Sequence, residues 1–471
     1  MKLTRKQLLG GAAAGALGAA GVYELVDQLV DSPERAGATA LPREQHLLGG
    51  MKTFEHEGVE VIEPPLHHQV VTAKLRVEQS PSALAAARET LEGALGDLEQ
   101  RYDLTPAGLA VTVAWGRPYF ERYVPQLAAR HIPVDRRATR SAERPVSAFL
   151  DAIRFPSDPE DTILEANDVA VLLRSDVREH VADGANRLFA GTDDIFELTS
   201  IRKGFQGGGF TGATSLPKAM ATAAGVDGAD LIPDTAQLFL GFTSTQTHTQ
   251  GQSAIANFET LGLVDVRTGY FRGGTHMHLS HIDEDLEAWY LDFDFRERVD
   301  TTFRPGQKAS DGAQTLDQRP EDAVGTAEVE ADFRRAGAIG HGSSIQPTSR
   351  LQMDIRGADG ELYRKGSAIP QRADFNTLDN PFFWTADPVR DGFDERPSAG
   401  VHFVTFNPSS DDFNRNRLAM DGVLPDGTRL PIGQRTRAQG LNSVLRTTHR
   451  QNFLVPPRSR RSFPLLELLR S

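Results

Sequence analysis

Histidine side chains are the main cofactor ligands here, and any redox chemistry must come from a bound cofactor or a histidine and carboxylate metal site, because the chain contains no cysteine. Disulfides, iron–sulfur clusters, thiolate zinc sites and thiol catalysis are thereby excluded. Three of the thirteen histidines lie together in Thr275-His276-Met277-His278-Leu279-Ser280-His281. On a strand His276 and His278 share one face and His281 takes the other. Two imidazoles on one face can begin a metal site if a further ligand comes from elsewhere; the plainer reading is polar residues on a half-exposed strand. His67 and His68 are adjacent, so on a strand their rings diverge. His341 differs in kind, standing between Gly340 and Gly342. Flanking glycines let backbone approach a flat ligand while the ring projects, and neutral imidazole is the usual axial ligand of haem iron. An ordinary loop histidine is the alternative. The glycine-rich run over 204–212 lacks the Lys-Ser/Thr ending of a P-loop and the spacing of a dinucleotide fingerprint. It reads as a loop, or as a wall close to a ligand.

These residues sit in a chain of 471 residues, which suits two domains of roughly 200 each. Hydrophobic residues make up 39% and charged residues 24%, an ordinary globular balance. The net charge of −13 argues against a general nucleic-acid binder. No stretch of ~20 strongly apolar residues occurs, which excludes a polytopic membrane protein. Lys2, Arg5 and Lys6 precede a soft apolar run over 7–23, the layout of an export signal. Thr4-Arg5-Lys6-Gln7-Leu8-Leu9 resembles the twin-arginine motif with Lys for the second Arg, and Ala38-Thr39-Ala40 offers a small-x-small cleavage site. Residues 1–40 are therefore expected to direct export to the cell envelope or beyond, either cleaved or kept as an N-terminal membrane tether.

The positioning elements follow from periodicity. Residues 41–60 are expected as a linker. Alternation predicts strands over 70–77, 108–115 and 167–173, and helices over 80–102, where Ser80 caps and Pro81 opens the first turn, and over 177–189. Strand–helix–strand, twice, is the ferredoxin-like order. It recurs after Gly241, with a strand over 275–282, a helix over 286–295 and a strand over 400–406. The expected fold is α+β, with two ferredoxin-like halves of antiparallel sheet over 61–235 and 236–471. Residues 304–330 are expected as a surface excursion.

In this order the segments resemble the dye-decolourising (DyP-type) haem peroxidases, as a divergent exported branch, in scattered blocks across most of 64–460. Leu238-Phe239-Leu240-Gly241-Phe242-Thr243-Ser244 stands where that family has Gly-Phe-x-Asp-Gly. The block from Gly273 to Tyr290 is similar to the family's strand-then-helix segment, and Leu362-Tyr363-Arg364-Lys365-Gly366 to its Leu-Arg-Arg-Gly. The strand over 400–406 resembles its late Gly-Leu-x-Phe strand, and Phe453-Leu454-Val455-Pro456-Pro457 its closing Phe-Phe-Val-Pro-Pro.

The resemblance implies two ferredoxin-like halves with b-type haem in the second. It makes His341, between Gly340 and Gly342, the proximal iron ligand, preferred over Asp332, which stands at the His place of a family-like Phe333-Arg334-Arg335-Ala336. Arg364 becomes the distal arginine that stabilises peroxide. Ser244 replaces the distal Asp and is a poor proton carrier. Ser409 stands where a carboxylate orients the proximal imidazole, with Asp411 or Asp412 as substitutes. The implied function is an exported peroxidase that reduces hydrogen peroxide and oxidises an unidentified donor, with Trp289 or Tyr290 as candidate electron relays and a homo-oligomer as a candidate assembly. A haem-handling protein with little turnover is the alternative, and a non-haem metal site at His276 and His278 the third reading.

Overall fold

The computed structural model describes residues 22–29, 41–140, 142–206, 215–251 and 258–470. Most of the expected export signal, and residues 207–214 of the glycine-rich run, lie outside them.

The first half alternates as its sequence dictates. Strand β3 (His67–Leu75) follows a small hairpin of β1 (Lys52–His56) and β2 (Val59–Glu63). Helix α1 (Pro81–Arg101) begins where the Ser80 hydroxyl accepts from the Ala83 amide, and proline at its first position needs no N–H partner. Its Leu84, Leu91, Leu95 and Leu98 are buried on one face against Val71, Val113 and Val171 of the sheet. Then come β4 (Ala110–Gly116), β5 (Val169–Ser175), α2 (Arg178–Phe189) and β6 (Phe196–Phe205). The strands lie in the order β6-β3-β5-β4.

The second half repeats the scheme. Its elements are β7 (Thr275–Glu284), α3 (Leu286–Leu291), α4 (Thr326–Ala336), α5 (His341–Ser349), β8 (Gln371–Arg372), β9 (Phe375–Thr377), β10 (Gly400–Asn407), α6 (Ser410–Met420) and β11 (Leu445–Val455). The main strands lie in the order β11-β7-β10-β9. In each half the fourth strand sits beside the first, then the third, then the second, which is the ferredoxin-like arrangement. The halves do not stand apart. Strand β11 pairs with β4, and β9 pairs with β6, both antiparallel. The sheet therefore closes into a ring of eight strands, whose inner face packs Val70, Ala170, Leu172, Met277, Leu279, Phe375 and Phe406. The helices cover its outer faces.

Three expectations need correction. The linker over 41–60 contains the β1–β2 hairpin, and Gln45 and His46 before it are buried. The Gln45 amide donates to the carbonyls of Pro456 at 2.8 Å and Val113 at 3.2 Å and accepts from the Val113 amide at 2.9 Å, so backbone satisfies a polar side chain inside the ring. The helix over 286–295 ends at Leu291, because Asp294 caps a new helix, Phe295–Thr302, in a capping box with Glu297. Residues 304–330 are no simple excursion: Gln314, Thr315 and Leu316 are buried, and Gln246 donates to the Leu316 carbonyl at 2.6 Å. Within the expected signal, Tyr23 docks on the second half, its hydroxyl donating to Asp379 at 2.8 Å and accepting from the Leu378 amide at 2.9 Å.

Candidate functional site

A cavity of about 300 Å³ lies on the outer face of the second half's sheet, roofed by α5 and α6 and walled by the loop around Leu238–Ser244. Its size suits a small-molecule or cofactor site. His341, Ser244 and Gly342 all line it, as the resemblance implies.

His341 is the first residue of α5, with Gly340 as N-cap. Both glycines let the backbone of the neighbouring segment come close. A Cβ on Gly340 would lie 2.6 Å from the Phe303 carbonyl oxygen and one on Gly342 3.2 Å from it. The close approach lets the Ser343 amide donate to that carbonyl at 2.8 Å and fixes where the helix starts. Among the described residues the His341 ring makes no hydrogen bond, and its Nδ1 is sealed from solvent. Burial, then the charges of Arg372 and Arg417, lower its pKa to about 4, so at neutral pH the ring is uncharged and has a free lone pair.

The loop carrying Ser244 is fastened from below. The Trp289 indole donates to the Leu240 carbonyl at 2.9 Å and the Tyr290 hydroxyl to the Phe239 carbonyl at 2.7 Å. Trp289 is fully buried, so its bulk and its hydrogen bond are structural. The Ser244 amide donates to Gln237 Oε1 at 3.0 Å, which aims the end of the loop into the cavity.

Arg364 does not reach the site. Its side chain is 71% exposed and pairs with Asp354 at 2.8 Å beyond a two-residue strand, Leu362–Tyr363. Arg372 lines the cavity instead. It lies on β8, which pairs with β10, and its Nη2 donates to the Ser244 carbonyl and, at 3.2 Å, to the Thr249 hydroxyl. Arg350 joins it, donating to the carbonyls of Gly366 at 2.9 Å and Gln318 at 2.8 Å. Neither arginine forms an ion pair among the described residues, so both leave positive charge facing the cavity.

Three carboxyl groups that sequence reasoning missed complete the lining: Asp158, paired with Arg450 at 2.6 Å, Asp374 and Glu284. Burial, with the nearby charges of Asp374 and Asp283, pushes Glu284 up to about 8, and its Oε2 has no hydrogen-bond partner. Burial also raises Asp374, partly offset by Arg372. Glu284 thus holds a proton at neutral pH. The available signal was alternation along β7, which puts Glu284 on the face of Ser280 and Ile282, and the Arg372-Ala373-Asp374 spacing.

Among the described residues no carboxylate hydrogen-bonds the His341 ring. Asp412 accepts from the Ser409 amide at 3.0 Å and pairs with Arg137 at 2.6 Å, which commits it elsewhere. Asp332 lies outside the cavity, paired with Arg304 at 2.6 Å and Arg335 at 2.9 Å. His276 and His278 share a face of β7, yet each is engaged singly. His276 Nδ1 bonds the Pro408 carbonyl at 2.9 Å, while His278 bonds Asn452 at 2.7 Å and stacks on Phe413 at 3.4 Å. Among the described residues no three His, Asp or Glu side chains converge as a metal site. Likewise no helix of the described residues is long and apolar enough to cross a membrane.

Known structures share this architecture. A DyP-type peroxidase from Cellulomonas bogoriensis aligns with TM-score 0.50 at 16% identity, over 89% of this chain and 95% of that one. A putative DyP-type peroxidase from Shewanella oneidensis aligns with TM-score 0.46 at 14% identity, over 84% and 94%. A variant of DypB from Rhodococcus jostii RHA1, in complex with heme, aligns with TM-score 0.47 at 12% identity, over 89% and 98%. The chain has the DyP-type fold of two ferredoxin-like halves. No curated protein matches its sequence. The model of a family of unknown function, DUF7405, matches residues 65–457, and the chain belongs to that family.

Proposed function

We propose that this protein is a haem-dependent peroxidase that reduces hydrogen peroxide at the expense of a separate electron donor. The observation that carries the reading is His341, a neutral and unbonded imidazole lining a cavity that Arg350 and Arg372 make positive. The residues fit haem: His341 would hold the iron, Phe242, Phe303 and Phe403 would be apolar walls for a flat ring, and the uncompensated guanidinium of Arg350 would take a carboxylate. Haem bound there would supply the redox chemistry of peroxide cleavage.

The chain's own groups supply the rest. Arg372 carries a permanent positive charge held in place by the Ser244 carbonyl, and attracts and orients the hydroperoxide anion. Glu284 holds a proton at neutral pH, and Asp374, whose pKa burial raises, lines the same cavity, where Ser244 has no base of its own. The phenylalanine walls limit water and strengthen these electrostatic effects.

A second reading, haem handling with little turnover, draws support from the missing carboxylate on His341. A neutral proximal ligand donates less electron density to the iron. The ultraviolet–visible spectrum of protein produced with haem supplied separates the two. A Soret band that shifts on adding peroxide is expected; a band that stays still would favour handling. His341→Ala should abolish the band, and full retention would overturn the site assignment.

Export through the twin-arginine-like N-terminus is part of the proposal and rests on sequence alone. Arg5→Gln should reduce the amount of chain outside the cytoplasm, and an unchanged distribution would refute it.

A further inference from the structure

A second cavity, of about 210 Å³, opens at one mouth of the strand ring and shares Arg372 and Asp374 as a wall with the first. Arg174 of β5 and His68 of β3 stand opposite each other in register and line it, together with His46 from the segment that enters the ring. Arg174 is buried, and among the described residues its sole hydrogen bond runs from Nη2 to the His46 carbonyl at 3.2 Å. Its Nε has no partner, nor do either ring nitrogen of His46 and Nδ1 of His68.

Other buried arginines are engaged by carboxylates or by more than one acceptor: Arg202 holds Glu165 at 2.5 Å, Arg450 Asp158 at 2.6 Å and Arg461 Glu92 at 2.9 Å, while Arg350, without a carboxylate, donates to two backbone carbonyls. Among the described residues Arg174 has neither a carboxylate nor a second carbonyl. Burial lowers its pKa to about 10, which leaves it charged at neutral pH, while burial and Arg174 push both imidazoles to about 3 and keep them neutral. Residues 207–214 and 252–257, which continue from the lining residues Gln206 and Gly251, contain no Asp or Glu. Asp374, the carboxylate in the cavity wall, makes no ion pair with Arg174 among the described residues, and a buried cation without a counter-charge is costly, so an anionic ligand in the cavity would relieve it. The remaining walls include Leu47, Leu48, Met51 and Phe406, which are apolar.

We propose that this cavity binds a small organic monocarboxylate, its carboxylate on the Arg174 guanidinium with an N–H donor from the His46 ring, and its apolar body against Leu48, Met51 and Phe406. A guanidinium fork matches a carboxylate in shape as well as charge. The site does not depend on haem and is distinct from the peroxide site.

The test is titration of the full-length protein with benzoate, acetate and chloride, followed by calorimetry and thermal unfolding. Benzoate is expected to bind and raise the melting temperature, with acetate weaker and chloride without effect at equal concentration. Arg174→Gln should weaken benzoate by about 10- to 100-fold, the loss of a charged hydrogen-bonded contact. If that variant fails to fold, Leu48→Trp, which fills the cavity from its rim, should abolish binding in a folded protein. No benzoate binding by the natural protein, an equal response to chloride, or undiminished binding by either folded variant would overturn the assignment.

Discussion

Arg372 donates a hydrogen bond to the backbone carbonyl of Ser244, so the strand that carries the cavity's cation and the loop that carries its hydroxyl move as one. Asp374, two residues on, adds a carboxyl group whose pKa burial raises to the same wall. The proposal therefore gives the peroxide-orienting charge to Arg372, which lines the cavity, and not to the exposed Arg364.

Arg372→Ala should leave haem bound but slow the peroxide-induced Soret shift by ~10²–10³, the usual cost of removing one preorganised electrostatic donor. Arg364→Ala should change that rate by less than about twofold, because an exposed pair with Asp354 contributes little. Stopped-flow absorbance checks both, and a reversed ranking would return the role to Arg364.

Glu284 predicts a pH dependence of stability. Its folded value of about 8 lies above the ordinary 4.5, so the folded chain binds a proton that the unfolded chain releases between those values. That stabilisation is complete below pH 4.5 and is lost as pH rises to about 8. In chain without added haem, Glu284→Gln should therefore gain melting temperature relative to the natural protein as pH rises through this window. Parallel curves would refute it.

Tyr23→Phe should destabilise the chain by about 1–3 kcal/mol, since it leaves the Leu378 amide unpaired and removes a donor from Asp379. Urea unfolding measures this. A chain cut after Ala40 should show at least the same loss; no loss would mean that Tyr23 does not dock in solution.

Gly340→Ala should cost about 1–3 kcal/mol and weaken haem retention, because its Cβ would press on the Phe303 carbonyl and displace the start of α5. A fully stable, haem-loaded variant would show that the segment yields.

The sequence made some of this legible and hid the rest for physical reasons. Ser80-Pro81 and the leucine spacing announced α1, and alternation announced β7, because those signals are local. Gly340 and Gly342 stood out, but their purpose lay in the Phe303 backbone, distant in sequence. Arg372 was missed because its strand is two residues long and has no periodicity to read. Gln45 looked like linker because its partners, Val113 and Pro456, come from strands far along the chain. Arg174 carried no signal at all, since a missing counter-charge is a property of the fold.

The closing of the strand ring has a consequence for synthesis. Strand β11, which joins the two halves through β4 and β7, consists of residues Leu445–Val455 and follows the other seven strands of the ring in chain order. Until it is made β4 and β7 each present an open edge, able to pair with other nascent chains. A transcript truncated before it would therefore yield an adhesive product rather than a half-active one, and the cell must hold seven strands in waiting before the ring can close.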